Sequence, residues 1–132
     1  MAPSRIAIVS SEPAHWATIS AKVSDCGLEL IRFDSVEAAS EQLAREKFEV
    51  AICEDEVRDG GFRELIQEMK RSGCWTPVIV LSKLDDWGSY LEGMAAGAFD
   101  YLAFPPYPQE LERAIEAALM EARSHRRTAK AA

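Results

Sequence analysis

The sequence lacks any apolar run near the roughly 20 residues that a membrane-spanning helix requires. Its first residues enter a strand pattern directly, without the charged, apolar and small-residue regions of a secretion signal. These two absences favour a cytoplasmic protein without a membrane segment.

Cysteine and histidine are scarce, with three cysteines and two histidines in 132 residues. Cys26, Cys53 and Cys74 are odd in number and widely spaced, and Cys53 lies within an apolar run, so we expect free thiols that serve packing. His15 and His125 lie far from these cysteines, whereas zinc sites usually combine closely spaced ligand pairs. The sequence therefore predicts no metal site.

An excess of basic charge is also absent, since the formal net charge is −7. All 22 acidic residues precede residue 122, and Arg123, Arg126, Arg127 and Lys130 close the chain. Nucleic-acid affinity comes largely from a basic face that releases counterions, so the acidic body argues against nucleic-acid binding by this chain alone. The basic end is typical of a solvated helix terminus or a linker.

The composition that remains is that of an ordinary globular protein, with 48% hydrophobic and 28% charged residues. Such a chain can bury one core, and 132 residues leave room for one domain. We assign residues 1–122 to this domain and residues 123–132 to a basic helical tail or linker stub.

Five apolar runs have strand character, at residues 5–9, 28–33, 50–53, 77–81 and 99–102, and they alternate with segments of helical periodicity. Nearly all-apolar strands joined by helices must be covered on both faces, which predicts an α/β fold with a doubly wound parallel sheet. Right-handed crossovers favour the flavodoxin-like strand order 2-1-3-4-5 with five helices. In the fourth helix, at about residues 86–96, we place Leu91 and Ala95 in the core.

In such a sheet, functional residues lie at the carboxyl ends of the strands, beside the point where the strand order reverses. The residues at these ends are Ser10, Ser11 and Glu12, then Glu54 to Glu56, then Ser82 and Lys83, and finally Phe104. No glycine-rich phosphate loop follows the first strand, which disfavours a small ligand-binding protein of flavodoxin type.

Three segments of the sequence resemble the receiver domains of bacterial response regulators, in particular those of enhancer-binding (NtrC-type) activators. The segments are RIAIVSSEP at 5–13, FEVAICEDEV at 48–57 and GAFDYLAFP at 97–105. The resemblance implies a CheY-like fold, in which Glu54 stands for the phosphoryl-accepting aspartate and Ser82 and Tyr101 for the switch hydroxyl and aromatic residue. It also implies a cis peptide bond before Pro105.

The resemblance also brings out what is missing. Ser10 and Ser11 stand where receivers carry two metal-binding acids, with Glu12 just beyond them, and Phe104 stands where they carry a lysine. Mg²⁺ prefers carboxylate oxygens, so we expect no magnesium or other cofactor. The missing lysine removes the cation that stabilises the transferring phosphoryl group. No catalytic residues are therefore predicted.

These departures predict an atypical receiver, or pseudo-receiver, that signals without phosphorylation and is not an enzyme. The alternative is a phosphate-accepting regulator with a rearranged, Mg²⁺-dependent site at Glu54 or Asp55. Because side chains alternate along a strand, we expect Asp55 to face away from the site that Glu54 faces.

A permanently charged Glu54 could partly imitate a phosphorylated aspartate, with about −1 charge instead of nearly −2. The appearance of a lysine at 83 with the loss of one at 104 predicts a contact between Glu54 and Lys83, either direct or through a bridging water. The alternative is a Lys83 side chain that points into solvent, since exposed ion pairs contribute little stability.

Receivers associate through the face formed by the fourth helix, fifth strand and fifth helix, and the resemblance places many aromatic residues there. Tyrosine, tryptophan and methionine are enriched at the centres of protein interfaces. We therefore expect a protein partner or a homodimer on this face, unless these side chains only pack internally. The residues concerned are Trp87, Tyr90, Met94, Tyr101 and Tyr107.

Overall fold

The computed structural model describes residues 3–23 and 27–131, with side chains described to residue 128, so Cys26 lies outside the described residues. Five strands alternate with five helices along the chain. The strands are β1 (Ser4–Val9), β2 (Leu28–Phe33), β3 (Val50–Glu54), β4 (Val78–Ser82) and β5 (Asp100–Ala103). The helices are α1 (Pro13–Lys22), α2 (Val36–Arg45), α3 (Phe62–Arg71), α4 (Trp87–Ala95) and α5 (Pro108–Ala131).

All neighbouring strands pair in parallel, and their order in the sheet is β2-β1-β3-β4-β5. This confirms the predicted flavodoxin-like architecture. The order reverses between β1 and β3, so the carboxyl ends of these two strands meet at the crevice. The predicted strand positions agree with the observed ones to within one or two residues.

The core lies in two layers because side chains alternate across each strand. On one face, Ala51 and Cys53 of β3 pack beneath α2, α3 and α4. On the other face, Val50 and Ile52 pack beneath α1 and α5. Cys53 is fully buried, as predicted, and burial raises the pKa of its thiol far above the ordinary value.

Polar side chains fix the beginnings of two helices. Ser35 accepts a hydrogen bond from the Ala38 amide at the start of α2, and Asp86 accepts one from the Ser89 amide at the start of α4. Asp59, from the loop after β3, accepts hydrogen bonds from the Val36 and Glu37 amides and so ties that loop to α2.

The orientation of α4 differs from the sequence prediction. Leu91 is 48% exposed and Ala95 is also exposed, so placing these residues in the core was wrong. Instead Tyr90 and Met94 pack partly against the core and Gly93 is buried. The helix turns this side inward because Gly93, with no side chain, lets the Tyr101 ring approach the helix backbone.

Helix α5 continues without a break across the predicted boundary at residue 122. Two contacts hold its later turns to the amino-terminal end of the sheet. The His125 ring stacks on Trp75 with centroids 3.8 Å apart, and the Arg126 guanidinium lies 2.5 Å from a Glu49 carboxylate oxygen. Among the described residues, no helix is long and apolar enough to cross a membrane.

The substitution Gly61→Ala tests how closely the backbone at residue 61, in the loop after β3, approaches the backbone of Asp55. A β-carbon at residue 61 would overlap the backbone carbonyl of Asp55, which cannot rotate away. Overpacking of this kind typically costs about 1–3 kcal/mol, and we expect that loss in the free energy of unfolding from urea titrations.

Gly88→Ala is the matched control, because its added β-carbon would meet only a flexible carboxylate oxygen of Asp86, at 3.3 Å. It should remain within about 0.5 kcal/mol of the wild type. Equal losses in the two variants would show that the space at residue 61 is not restricted.

Candidate functional site

The candidate site is an open cavity of about 440 Å³ at the carboxyl ends of the strands. Loops that follow β1, β3 and β4 form its wall, as expected for a sheet of this order. The lining residues are Ser11, Glu12, His15, Glu54, Asp55, Glu56, Val57, Arg58, Lys83 and Leu84.

A pair of side chains, Glu54 and His15, dominates one side of the cavity. Glu54 ends β3 and is only 5% exposed, and its Oε1 lies 2.5 Å from Nδ1 of His15 in the first turns of α1. The other ring nitrogen, Nε2, lies 3.1 Å from Oε2 of Glu12. Carboxylates only accept hydrogen bonds, so an imidazole with N–H donors on both ring nitrogens would satisfy both partners.

Phe104 covers this pair from the end of β5. Its ring centroid lies 4.5 Å from that of His15 at an interplanar angle of 42°, and it packs against the core layer beneath α1 and α5. An aromatic ring therefore occupies the space beside Glu54 and His15. The peptide bond between Phe104 and Pro105 is cis.

The two serines after β1 do not present a pair of ligands. Ser10 is fully buried, and its hydroxyl donates a hydrogen bond to the Glu12 carbonyl at 3.3 Å. Ser11 lines the cavity, and Glu12 directs its carboxylate to His15. Across the described residues, no group of three or more histidine, cysteine or acidic side chains is arranged to hold a metal ion.

A second group of polar residues lies on the other side of β3. The Ser82 hydroxyl donates a hydrogen bond to Oδ2 of Asp55 at 2.9 Å and accepts one from the Tyr101 hydroxyl at 2.7 Å. Alternation along the strands accounts for this division, because Glu54 points toward α1 and Asp55 toward the face covered by α4. The side chains expected to meet around Glu54 are thus divided, and Ser82 and Tyr101 belong with Asp55.

The structure shows no direct contact between Glu54 and Lys83, and a contact through a bridging water stays a prediction. His15 already binds the Glu54 carboxylate, and the Lys83 side chain is exposed at the cavity rim. Within the part of the chain that the structure describes, no carboxylate oxygen lies within 4 Å of the Lys83 amine.

The aromatic residues predicted to form an interface fall into two groups. Tyr101 is buried, and Tyr90 and Met94 are partly buried against the core, so packing accounts for them. Trp87 is 71% exposed and Tyr107 is 77% exposed. The exposed apolar surface around α4 also includes Leu84 and Leu91, which the sequence did not single out as exposed.

His15 is the site residue that sequence reasoning missed, having been considered only as a possible zinc ligand. A signal was present, because His15 follows Glu12 by three residues and both lie next to the carboxyl end of the first strand. Its main partner, Glu54, is 39 residues away in sequence, and helical spacing cannot reveal that contact.

The chain matches no protein-family profile. It is 26% identical over 119 residues to the response regulator protein PilR of Pseudomonas aeruginosa, and 23% identical over 119 residues to the transcriptional regulatory protein ZraR of Escherichia coli. Each of these alignments covers 90% of this chain and 27% of the relative. The chain thus spans about a quarter of the length of the curated relatives it matches.

Solved structures match over most of their length. A CheY-like response regulator receiver domain protein from Methanospirillum hungatei aligns with a TM-score of 0.78 and 21% identity, covering 94% of this chain and 99% of the other. The BeF3-activated DrrB receiver domain aligns with a TM-score of 0.76 and 27% identity, covering 89% and 98%. Together with the strand order, these matches show that the chain has the CheY-like fold of response-regulator receiver domains, and its sequence is similar to those of response regulators.

Proposed function

We propose that this chain is a response-regulator receiver domain that acts in bacterial signal transduction without being phosphorylated, through association with another protein chain. The observation that supports this most strongly is the contact of the buried Glu54 with the partly buried His15 beneath the Phe104 ring. The carboxylate at the end of β3 is already bound, and a hydrophobic side chain occupies the place of the expected cation.

The chemistry of phosphoryl transfer fits this arrangement poorly. A nucleophile must lie within about 3–3.5 Å of the phosphorus atom and in line with the leaving group. The nearly buried Glu54 directs an oxygen at His15, 2.5 Å away, and would have to leave that partner to attack. Phe104 offers no positive charge to the transferring group.

The oxygen donors near β1 also fit Mg²⁺ poorly. The ion prefers an octahedral set of oxygen ligands that includes carboxylates. The Ser10 hydroxyl is buried and bonded to a carbonyl group, while Glu12 and Glu54 both bind His15. We therefore propose that the domain works without magnesium.

A phosphate-accepting regulator is the second candidate function, and the position of Asp55 is the observation that favours it. This carboxylate lines the cavity, is only partly buried, and accepts a hydrogen bond from the hydroxyl of Ser82. For this second function Asp55, and not Glu54, is the acceptor.

The surface proposed for association lies around α4 and the turn before α5. It comprises the exposed side chains of Leu84, Trp87, Leu91 and Tyr107. Apolar and aromatic side chains exposed together are typical of protein interfaces. We name a second copy of the chain as the first partner to test.

Incubation with acetyl phosphate and Mg²⁺, followed by intact-mass measurement, tests the absence of phosphorylation. We expect no species heavier by about 80 Da, the mass of one phosphoryl group. The DrrB receiver domain under the same conditions serves as the positive control. An adduct that disappears in Asp55→Asn would establish the second candidate, and one that disappears in Glu54→Gln would contradict the role given to the buried pair.

A double-mutant cycle tests the pair of His15 and Glu54. His15→Ala leaves a nearly buried carboxylate without its partner, and we expect a loss of about 1–3 kcal/mol in the free energy of unfolding. Glu54→Gln in the same background should recover part of this loss, because the amide needs no cationic partner. Effects that add within about 0.5 kcal/mol would show that the two side chains are not coupled.

Sedimentation velocity over a range of concentrations tests self-association. We expect a dimer that Trp87→Ala with Leu91→Ala weakens at least about tenfold, since buried tryptophans dominate many interfaces. Met120→Ala removes a side chain that is 69% exposed and does not belong to the proposed surface of Leu84, Trp87, Leu91 and Tyr107, and it is the control. A wild-type chain that stays monomeric at every concentration would exclude the dimer.

A further inference from the structure

A second cavity lies at the edge of the sheet where β3 and β4 begin, opposite the edge at which Glu54 ends β3. The loops before these two strands and the later turns of α5 form it, and its volume is about 180 Å³. It is separate from the crevice at the carboxyl ends of the strands, where sheets of this order usually bind ligands. Its apolar lining consists of Leu43, Phe48, Trp75, Pro77 and Ala122.

The hydroxyl of Thr76 is the polar group of this cavity that the protein itself leaves least satisfied. Thr76 is only 6% exposed, and its hydroxyl oxygen lies 3.9 Å from the Cys74 sulfur. The Cys74 thiol already donates its proton to the Leu43 carbonyl at 3.2 Å, so the Thr76 hydroxyl is the donor in its weak contact with the sulfur.

The same hydroxyl oxygen can also accept two hydrogen bonds. Among the residues that the structure describes, no N–H or O–H group donates to it. A buried polar atom without a full set of partners is unfavourable, and a ligand that supplies a donor removes that cost. The cavity therefore presents an unused hydrogen-bond acceptor beside an apolar lining.

The charged groups around the cavity are mostly paired with one another. The Arg126 guanidinium lies 2.5 Å from a Glu49 carboxylate oxygen, and Glu46 lies 3.1 Å from the guanidinium of Arg5. Lys47 is exposed to solvent, where an ion pair contributes little. These charges favour a ligand without net charge.

The size and shape of the cavity suit a planar ring. Trp75 and His125 border it with rings that stack at a centroid distance of 3.8 Å and an interplanar angle of 19°. An apolar protein cavity of about 150 Å³ can bind benzene, so a volume of about 180 Å³ accommodates one small ring system.

We infer that this cavity binds a small, neutral aromatic molecule that carries one N–H or O–H donor, and that this donor bonds to the hydroxyl of Thr76. The ligand would contact both loops and α5 together, and so would hold the later turns of α5 in their present position. The cavity goes beyond the proposed function, because it lies at the other edge of the sheet from Glu54 and outside the surface around α4.

Titration of the isotopically labelled domain with indole, followed by two-dimensional NMR of the backbone amides, tests the site. We expect saturable binding with a dissociation constant of about 1 mM or lower, which is within reach of a ligand of this size. The shifted amides should centre on residues 46–49, 74–76 and 125–126, which line the cavity. Shifts that do not saturate, or that centre on α4, would contradict the site.

A comparison with N-methylindole tests the hydrogen bond, because this molecule has the same ring system but no N–H donor. We expect it to bind at least about tenfold more weakly than indole, since it leaves the acceptor of Thr76 unpaired. Equal affinity of the two molecules for the unaltered chain would overturn the role given to Thr76. This comparison needs no substitution, so it remains decisive if a variant fails to fold.

Two substitutions at residue 76 assign the preference to its hydroxyl. Thr76→Val keeps the shape of the side chain without the hydroxyl and should bind indole and N-methylindole equally. Thr76→Ser keeps the hydroxyl and should retain the preference for indole. If the preference persists in Thr76→Val, another group binds the N–H donor and the inference is wrong.

Thr18→Val is the matched control. It removes a hydroxyl from α1 that bonds to the Ala14 carbonyl and does not line the cavity, so it should leave both affinities unchanged. The titrations use dilute domain without a phosphodonor, and their result is independent of phosphorylation and self-association. A failure here leaves the proposed function unchanged, and a phosphoryl adduct or a strictly monomeric chain would leave the cavity unchanged.

Discussion

A carboxylate that is nearly buried at the end of the central strand must have a partner, and the site depends on how this need is met. A buried carboxylate left without a partner costs a substantial part of the small free energy by which a domain is folded. His15 meets the need from α1, with Glu12 on its other nitrogen. The position after β5 where a cation was expected can then be filled by Phe104, whose ring packs on the imidazole.

The alternation of side chains at the end of β3 separates the cavity into two parts with different chemistry. Glu54 belongs to the layer beneath α1, and Asp55 belongs to the layer beneath α4. In the first part, the Glu54 carboxylate is bound by His15. In the second part, the Asp55 carboxylate is joined to the Tyr101 hydroxyl through the Ser82 hydroxyl. The adjacent acids Glu54 and Asp55 therefore bind different elements: Glu54 binds α1 through His15, and Asp55 binds the end of β4 through Ser82.

The sequence predicted the sheet well because its signals are local. Nearly continuous apolar runs mark buried parallel strands, and the helices of a doubly wound sheet must cover both faces, so few strand orders were possible. The helical periodicity of the segments between the strands was equally clear. The side of α4 that faces the core was not, because Trp87 with Leu91 and Tyr90 with Met94 fit the same helical spacing. Gly93 decided between them, through a contact with Tyr101 that helical periodicity does not describe.

The site was less predictable than the fold because its contacts join distant parts of the chain. Resemblance to receivers identified Ser82 and Tyr101, which do bond to each other, but it assigned both to Glu54 rather than Asp55. The expected partner of Glu54, Lys83, was chosen from charge alone. Charge does not distinguish a lysine at the cavity rim from a histidine in the first turn of α1, whereas burial does.

The two contacts near the end of α5 have a mechanical consequence. Stacking of His125 on Trp75 and the ion pair of Arg126 with Glu49 fasten the helix at the amino-terminal edge of the sheet, opposite the cavity. Nearer Pro108, the side chains of Leu111, Ala114, Ile115 and Ala118 are buried against the sheet. The helix is therefore held from Leu111 to Arg126, over about 22 Å at 1.5 Å per residue. The turn that carries Tyr107 thus leads into an anchored helix and not into a free one.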